Sequence, residues 1–335
     1  MSPFFLLLRL RVAEVTRSRT STAFFLGLPL VLLLVIGLTF MNGHPFERHR
    51  VAFVGDVGAL PGVAIEHLAS VHVLHEDDEQ VALGKLRSRE LHAIVTRRAF
   101  GIALVVGSHD EVIGRGLLFA LPPGTSLEVV TTPRWGYVHY LFPGLLAFAI
   151  LLSGLFGMGY FLVRHRQNLF LKKLATTPLP KATFVGAQIV ARSLLVLGQM
   201  AVLVLTARLA FDLPLTVTSA LWLSLFTLLG VLAFMGLGFA LACVVKTEAT
   251  MVDVINSITT PLVLLSEIFF PVDELPSPIA RVAGALPSTQ LVRLVRAVLL
   301  HGETRFFALR PGISIMMLWI VLAYGVSLLA FRWHD

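Results

Sequence analysis

Asp253, Asn256, Ser257 and Thr260 stand at i, i+3, i+4 and i+7, so a helix through them carries all four on one face. Leu264 and Glu267 continue the stripe, and the residues between are mostly apolar. Uncompensated polar groups are expensive in hydrocarbon, so on a membrane-spanning helix this stripe must meet protein or water. Its residue types suit the passage of a solute rather than the making of bonds. Pro261 interrupts the helix midway, freeing a carbonyl and offering a bend. Phe269 and Phe270, just before Pro271, are placed to act as an apolar gate at the end of the stripe. Packing between helices also uses small polar residues, which accounts for Ser257 and Thr260 but poorly for two carboxylates. A second polar set, Gln188, Arg192 and Gln199, shares a helix face. Arg192 either lines a polar vestibule with them or snorkels to the nearer headgroups.

Covalent chemistry is hard to find. The chain shows no Ser/His/Asp or Cys/His arrangement and no Gly-rich phosphate loop. Lys246-Thr247 lacks the preceding glycine that such a loop needs. Neither a catalytic residue nor an ATP site of that kind is expected. His72, His75 and Glu76 have spacing that a metal would accept, but no third defined ligand joins the two histidines. A strand running into a helix cap explains them more simply, so no metal is expected. The single cysteine, Cys243, lies in an apolar run and excludes an intrachain disulfide.

The elements that position these residues are membrane helices. Of 335 residues, 56% are hydrophobic and 14% charged, with a mean hydropathy of +0.83. A soluble domain rarely goes so far. The net charge of +7 does not imply nucleic acid, because the basic residues flank apolar runs, where they orient a membrane protein. Spanning takes roughly 20 apolar residues. Six stretches qualify: Ser21–Met41, Trp135–Val163, Phe184–Phe211, Ser219–Val245, Thr250–Phe270 and Gly312–Phe331. The expected fold is an all-α integral membrane protein of six transmembrane helices, with a small α/β extracytoplasmic domain inserted at 42–134. Residues 1–20 suit a cytoplasmic interfacial helix, 21–41 the first span and 135–335 a five-helix region.

Lys/Arg bias sets the orientation. Arg9, Arg11, Arg17 and Arg19, then Arg164, Arg166, Lys172, Lys173 and Lys181, then Lys246 and Arg332, place both termini in the cytoplasm. Five arginines in 271–311 oppose this scheme. Apolar residues there recur at helical spacing, which predicts an outer amphipathic hairpin at 272–300 with its arginines snorkelling outward. A seventh span is the alternative. In 42–134, strand patterns at "RVAFVGD", "ASVHVLH", "LHAIVTR", "GIALVVGS" and "SLEVVTT" alternate with helical patterns at 78–89 and 110–121, a mixed sheet. Asp77 with Gln80 resembles a capping box for the first of these helices.

Arg164–Lys181, "RHRQNLFLKKLATTPLPK", carries five Lys/Arg and no acid between two apolar runs. Phe170, Leu171 and Leu174 fall on one helical face with Lys172 and Lys173 turned away, and Pro178 and Pro180 end the helix. Such a helix either inserts into a cleft on a soluble partner or is an ordinary interfacial loop. "YLFPGLLAFAILLSGLFG", "LKKLATTPLPKATFVGAQI", "LLSEIFFPVDELPSPIARVAGALPSTQLVRLVRAVLLHG" and "LRSRELHAIV" resemble the permease subunit of type-2 ABC exporters, the bacterial group with a large extracytoplasmic domain after the first span. The resemblance covers nearly the whole chain. It departs at His165, Gln167 and Lys172, where that group usually carries acids, and at Glu267, where it often has glycine after the serine.

The resemblance implies a permease of an ATP-driven exporter in a bacterial inner membrane. Two permease chains and two ABC ATPase subunits would form the unit, with ATP and Mg bound by the ATPases and no cofactor in this chain. It implies a coupling helix at 168–177, with Asn168, Phe170, Leu171, Lys172, Lys173, Leu174 and Thr177 contacting the ATPase. The translocation pathway would take Asp253, Asn256, Ser257, Thr260, Glu267, Phe269, Phe270 and Arg192. Two other classes stand beside it: an ion-coupled secondary transporter using Asp253 or Glu267, and a membrane-anchored enzyme or sensor acting through the outer domain.

Overall fold

The computed structural model describes residues 3–17, 19–39, 49–55, 71–76, 78–87, 91–98, 101–107, 110–130, 137–170, 176, 180–268 and 277–330. They form two compact units, Met1–Gly37 with Leu141–Asp335, and Leu38–Tyr140.

The smaller unit is built on strands β1 (His49–Val54), β2 (Val71–Glu76), β3 (Ala93–Arg98), β4 (Gly101–Gly107) and β5 (Ser126–Val130). Their order is β2-β1-β3-β4-β5, and every pair is parallel except β3 with β4. Strand alternation sends Val51, Phe53, Val95, Leu104 and Val106 to one face, where Leu117 of α4 (Glu111–Leu118) packs. Ala52, Ile94 and Val105 go to the other, against Ala82 and Leu86 of α3 (Glu79–Arg87). The central strands β1, β3 and β4 are covered on both faces, which is why VAFV, AIV and IALVV run continuously apolar, whereas the edge strands β2 and β5 carry polar residues between apolar ones. The cap of α3 falls one residue later than the sequence suggests: Asp78 Oδ1 accepts from Gln80 N–H at 2.8 Å. Asp77 lies outside the described residues, as do the side chains of His72 and Glu76. His75 is exposed.

The larger unit is helical. It contains α1 (Pro3–Arg17) and most of α2 (Arg19–Thr39) and α5 (Tyr137–Leu155). A π-helical turn, Phe156–Tyr160, carries α5 on into α6 (Phe161–Gln167). Then come α7 (Lys181–Phe211), α8 (Val217–Val244), α9 (Glu248–Leu265), α10 (Ser277–Ala285), α11 (Pro287–Leu299) and α12 (Phe306–Ala330). Among the described residues five helices are long and apolar enough to cross a membrane: Val138–Gln167, Thr183–Phe211, Val217–Val244, Glu248–Leu265 and Phe306–Ala330. The described apolar part of α2, Gly27–Ile36, is shorter. Two boundaries move. The last helix starts before Arg310 and Pro311, and α9 stops at Leu265, where Ser266 and Glu267 turn.

The 271–311 segment differs from a hairpin lying in the interface. Helix α10 is mostly exposed, but α11 is buried along nearly its whole length against α8 and α12. Arg296 does not snorkel; it is buried. The apolar spacing there reflected protein packing, which a sequence pattern cannot tell from lipid contact. At 9 and 13 residues, and broken at Leu286–Pro287, neither helix reaches the roughly 20 residues of a span.

Glycines let α8 approach the π turn closely. A Cβ at Gly238 would stand 2.7 Å from Leu155 O and 3.0 Å from Gly159 N, both backbone atoms that cannot step aside. We expect Gly238→Ala to cost about 1–3 kcal/mol, read as a lower unfolding midpoint in detergent. Gly325→Ala, which meets open space within a helix, should not lower the midpoint.

Candidate functional site

Asp253, Asn256, Ser257, Thr260 and Leu264 all lie on the exposed face of α9. Met251, Ile255 and Thr259 form its buried face, and Met251 reaches the π turn at Gly159. Only 17% of the spanning window is buried in both α9 and α12. Their exposed surfaces are opposite in kind. Helix α12 exposes Leu318, Val321, Leu322, Val326, Leu328 and Leu329, a surface suited to lipid. Helix α9 exposes a carboxylate, an amide and hydroxyls. Thr260 Oγ1 donates back to Asn256 O at 3.0 Å, and the amide and carboxylate stand outward.

Glu267 leaves this stripe. It is only 5% exposed, and its carboxylate is held by α11. Oε1 accepts from Arg293 Nε at 2.8 Å and Nη2 at 2.5 Å, and Oε2 accepts from Arg296 Nη1 at 3.2 Å. Arg296 Nη2 also donates to the Glu267 carbonyl at 3.2 Å. The backbone of Glu267 is left-handed, with φ +54°. That conformation favours glycine, the residue often found here in the exporter group that the sequence resembles. In this chain two arginines hold a glutamate in glycine's conformation. Next to it, Ser266 and Ser288 share a hydroxyl contact of 2.5 Å, so α11 also fastens the end of α9. Phe269 and Phe270 lie outside the described residues.

Arg192 neither reaches a headgroup nor faces an open vestibule. It is buried, and its Nε donates to Ser153 O at 2.9 Å. One turn earlier, Gln188 Nε2 donates to Gly157 O at 2.7 Å. Both acceptors belong to the stretch around the π turn, where the helical hydrogen-bond ladder shifts register. Gly157 leaves room for the guanidinium; a Cβ there would collide with Nε of Arg192. Gln199, further along α7, is also buried.

In the 164–181 loop, Asn168 is exposed and Phe170 half-buried, while Leu171, Lys172, Lys173, Leu174 and Thr177 lie outside the described residues. Phe170 packs within the chain, edge-on to His165 and 6.5 Å from Phe184. Arg11 of α1 fills the space between these rings. Its guanidinium lies 4.5 Å from the centroid of Phe161 and 5.3 Å from those of Phe170 and Phe184. His165 Nδ1 bonds the Phe161 carbonyl at 2.8 Å and so carries the proton. That leaves Nε2 to accept from Arg11 Nη1 at 3.0 Å. The sequence reading placed Arg11 among the interfacial arginines and missed this cage. The one signal was the four-residue spacing of Phe161 and His165, which brings their rings together with centroids 4.0 Å apart.

The stretch 86–300, from the end of α3 to the end of α11, matches the family model described as ABC-2 type transporter. The chain belongs to the ABC-2 transporter family. It is similar to nodulation protein J of Bradyrhizobium diazoefficiens, 28% identical over 242 residues, covering 70% of this chain and 88% of that protein. It is 33% identical to nodulation protein J of Rhizobium leguminosarum bv. viciae over 116 residues, covering 33% of this chain and 44% of the relative. Nodulation protein J of Neorhizobium galegae is 33% identical over 147 residues, covering 41% and 55%. The chain is thus a type-2 ABC permease subunit, the non-catalytic membrane component of a transporter. The matched stretch of this ABC-2 permease includes the α9 stripe, Glu267 with its arginines, and the 164–181 loop.

Glu267→Ala should remove the carboxylate that faces the buried Arg296 guanidinium, which keeps its bond to the carbonyl of residue 267. We expect a loss of about 3–5 kcal/mol in thermal unfolding of the detergent-solubilised chain. Arg293→Ala, at a side chain 42% exposed, should cost far less.

Proposed function

We propose that this ABC-2 permease is the membrane half of an ATP-driven exporter and pairs with a second permease chain across α9. One observation carries the reading. Helix α9 is as exposed as α12, yet its exposed face is polar. A bilayer does not accept such a face, so a second permease chain and the solute path between the two chains would cover it. Asp253, Asn256, Ser257 and Thr260 line that path. Glu267, bound to Arg293 and Arg296, holds the end of α9 in place rather than touching solute. Phe269 and Phe270 gate the outer end. Arg192 acts from behind, by fixing the shape of the second span.

In this reading six helices span a bacterial inner membrane, α2 being the first, both termini are cytoplasmic, and residues 42–134 form an extracytoplasmic domain. Separate ABC ATPases bind ATP and Mg and press on the coupling segment 168–177. Leu171, Lys172, Lys173, Leu174 and Thr177 meet the ATPase, together with the exposed Asn168. Phe170 supports them from the cage around Arg11.

In a Cys243→Ser background, Asn256→Cys should cross-link two chains in native membranes, while Leu322→Cys on the aliphatic face should not. Monomers only at residue 256 would sink the paired-chain reading. A detergent pull-down should bring along an ATP-hydrolysing subunit. Its absence would return the case to an ion-coupled carrier or an anchored sensor. Impermeant thiol reagents added outside should reach a cysteine at residue 78 and miss one at residue 173; the reverse pattern would invert the orientation.

A further inference from the structure

The second span ends in three side chains that grip the turn between α8 and α9. Arg166 Nη2 donates to Ala242 O at 2.8 Å and Nη1 to Val245 O at 3.3 Å. These carbonyls lie in the last turn of α8 and at its C-cap, where no intrahelical donor reaches them. The guanidinium also meets the negative end of the helix dipole. Gln167 Oε1 accepts from the backbone N–H of Glu248 at 3.2 Å. Glu248 opens α9, so this N–H too lacks a partner within its helix. Tyr160 O–H donates to Glu248 Oε2 at 2.7 Å. Between these holds the turn is only Val245–Thr247, and Thr247 caps α9 by accepting from Thr250 N–H at 3.2 Å.

Water at the membrane surface would satisfy such helix ends without help. Here the partners come from a different span, and all three lie within eight residues of its end, Tyr160–Gln167. Asn168 and the coupling segment follow directly. We propose that Tyr160, Arg166 and Gln167 form a clamp that joins the coupling segment to the start of α9, so that both move as one body. The proposal rests on the coupling reading above and adds its route. A push on the segment reaches the polar face of α9 through the Val245–Glu248 turn, not only through the length of the second span. The three are positioning residues; none touches solute.

The test uses the full complex with its ATPase in lipid nanodiscs, in a Cys243→Ser background. Spin labels go on Thr176 and Ala249 in one sample and on Thr176 and Leu322 in another. Doubly labelled chains are diluted with unlabelled chain, and distances are read by double electron–electron resonance with and without ATP and vanadate. Trapping should shift the 176–322 distance and leave the 176–249 distance where it was. With Arg166→Leu and Tyr160→Phe together, trapping should shift the 176–249 distance as well. Arg166→Lys with Glu248→Gln, which keeps a donor and an acceptor, should hold it fixed. Retained ATPase co-purification shows that the variants fold. A 176–249 distance that shifts in the otherwise unaltered chain overturns the clamp, without need of any variant. So does one that stays fixed in the double variant. An unchanged 176–322 distance in the otherwise unaltered chain overturns the coupling reading itself, and the clamp with it.

Discussion

A backbone carbonyl without a donor has no water to turn to inside a bilayer, and much of the larger unit is arranged around that constraint. A π turn in a spanning helix disturbs the ladder and creates the problem locally. The neighbouring span places donors beside this stretch. Arg192 and Gln188, one helical turn apart on α7, bond the carbonyls of Ser153 and Gly157. Gly157 leaves the space that the Arg192 side chain occupies, while Gly159 and Gly238 let α8 close on the other side of the turn. A buried arginine thus serves as a backbone donor. On insertion scales an arginine at mid-bilayer costs about 2.5–3.5 kcal/mol, and here the guanidinium is buried against protein and bonded to a backbone carbonyl.

The same logic governs the other end of the bundle. Helix α9 ends in a turn, and its last residues need partners. Helix α11 supplies them through Ser288, Thr289, Arg293 and Arg296. The left-handed backbone at residue 267 is the price of that turn, since a residue with a Cβ pays roughly 1–2 kcal/mol for it. Glycine would avoid the strain but offer no carboxylate to two arginines. Glutamate accepts the strain and neutralises a buried charge. Each side of this arrangement needs the other, which is why Arg296 lies inside the protein instead of reaching the headgroups.

The described elements of the smaller unit were legible in the sequence, because strand patterns and short turns act over a few residues. Among the described residues, β1 to β5, α3 and α4 lie where the pattern placed them, with the cap of α3 moved from Asp77 to Asp78. The α9 stripe was legible for the same reason: helical spacing alone puts Asp253, Asn256, Ser257 and Thr260 on one face. That spacing failed at Glu267, because the helix ends two residues earlier and periodicity has no meaning past a turn. The burial of α11 was not legible, since an apolar face against lipid and one against protein have the same period. Nor was the cage around Arg11, which joins residues 154 apart in the chain.

Residues 156–170 draw these pieces together, because they meet a different neighbour on each side. Their carbonyls at the π turn face α7. Phe161, His165 and Phe170 close around Arg11 of α1. Tyr160, Arg166 and Gln167 face the turn between α8 and α9. A segment bound in three directions by hydrogen bonds and ring contacts resists small displacements and yields only when a whole set of contacts is exchanged. In the proposed reading the loop passes on a push, and such a segment would suit it as a root, since a soft root would absorb the displacement. The basic, acid-free character of the loop fits this arrangement: its one buried histidine accepts from an arginine, and its arginine at 166 is spent on backbone carbonyls.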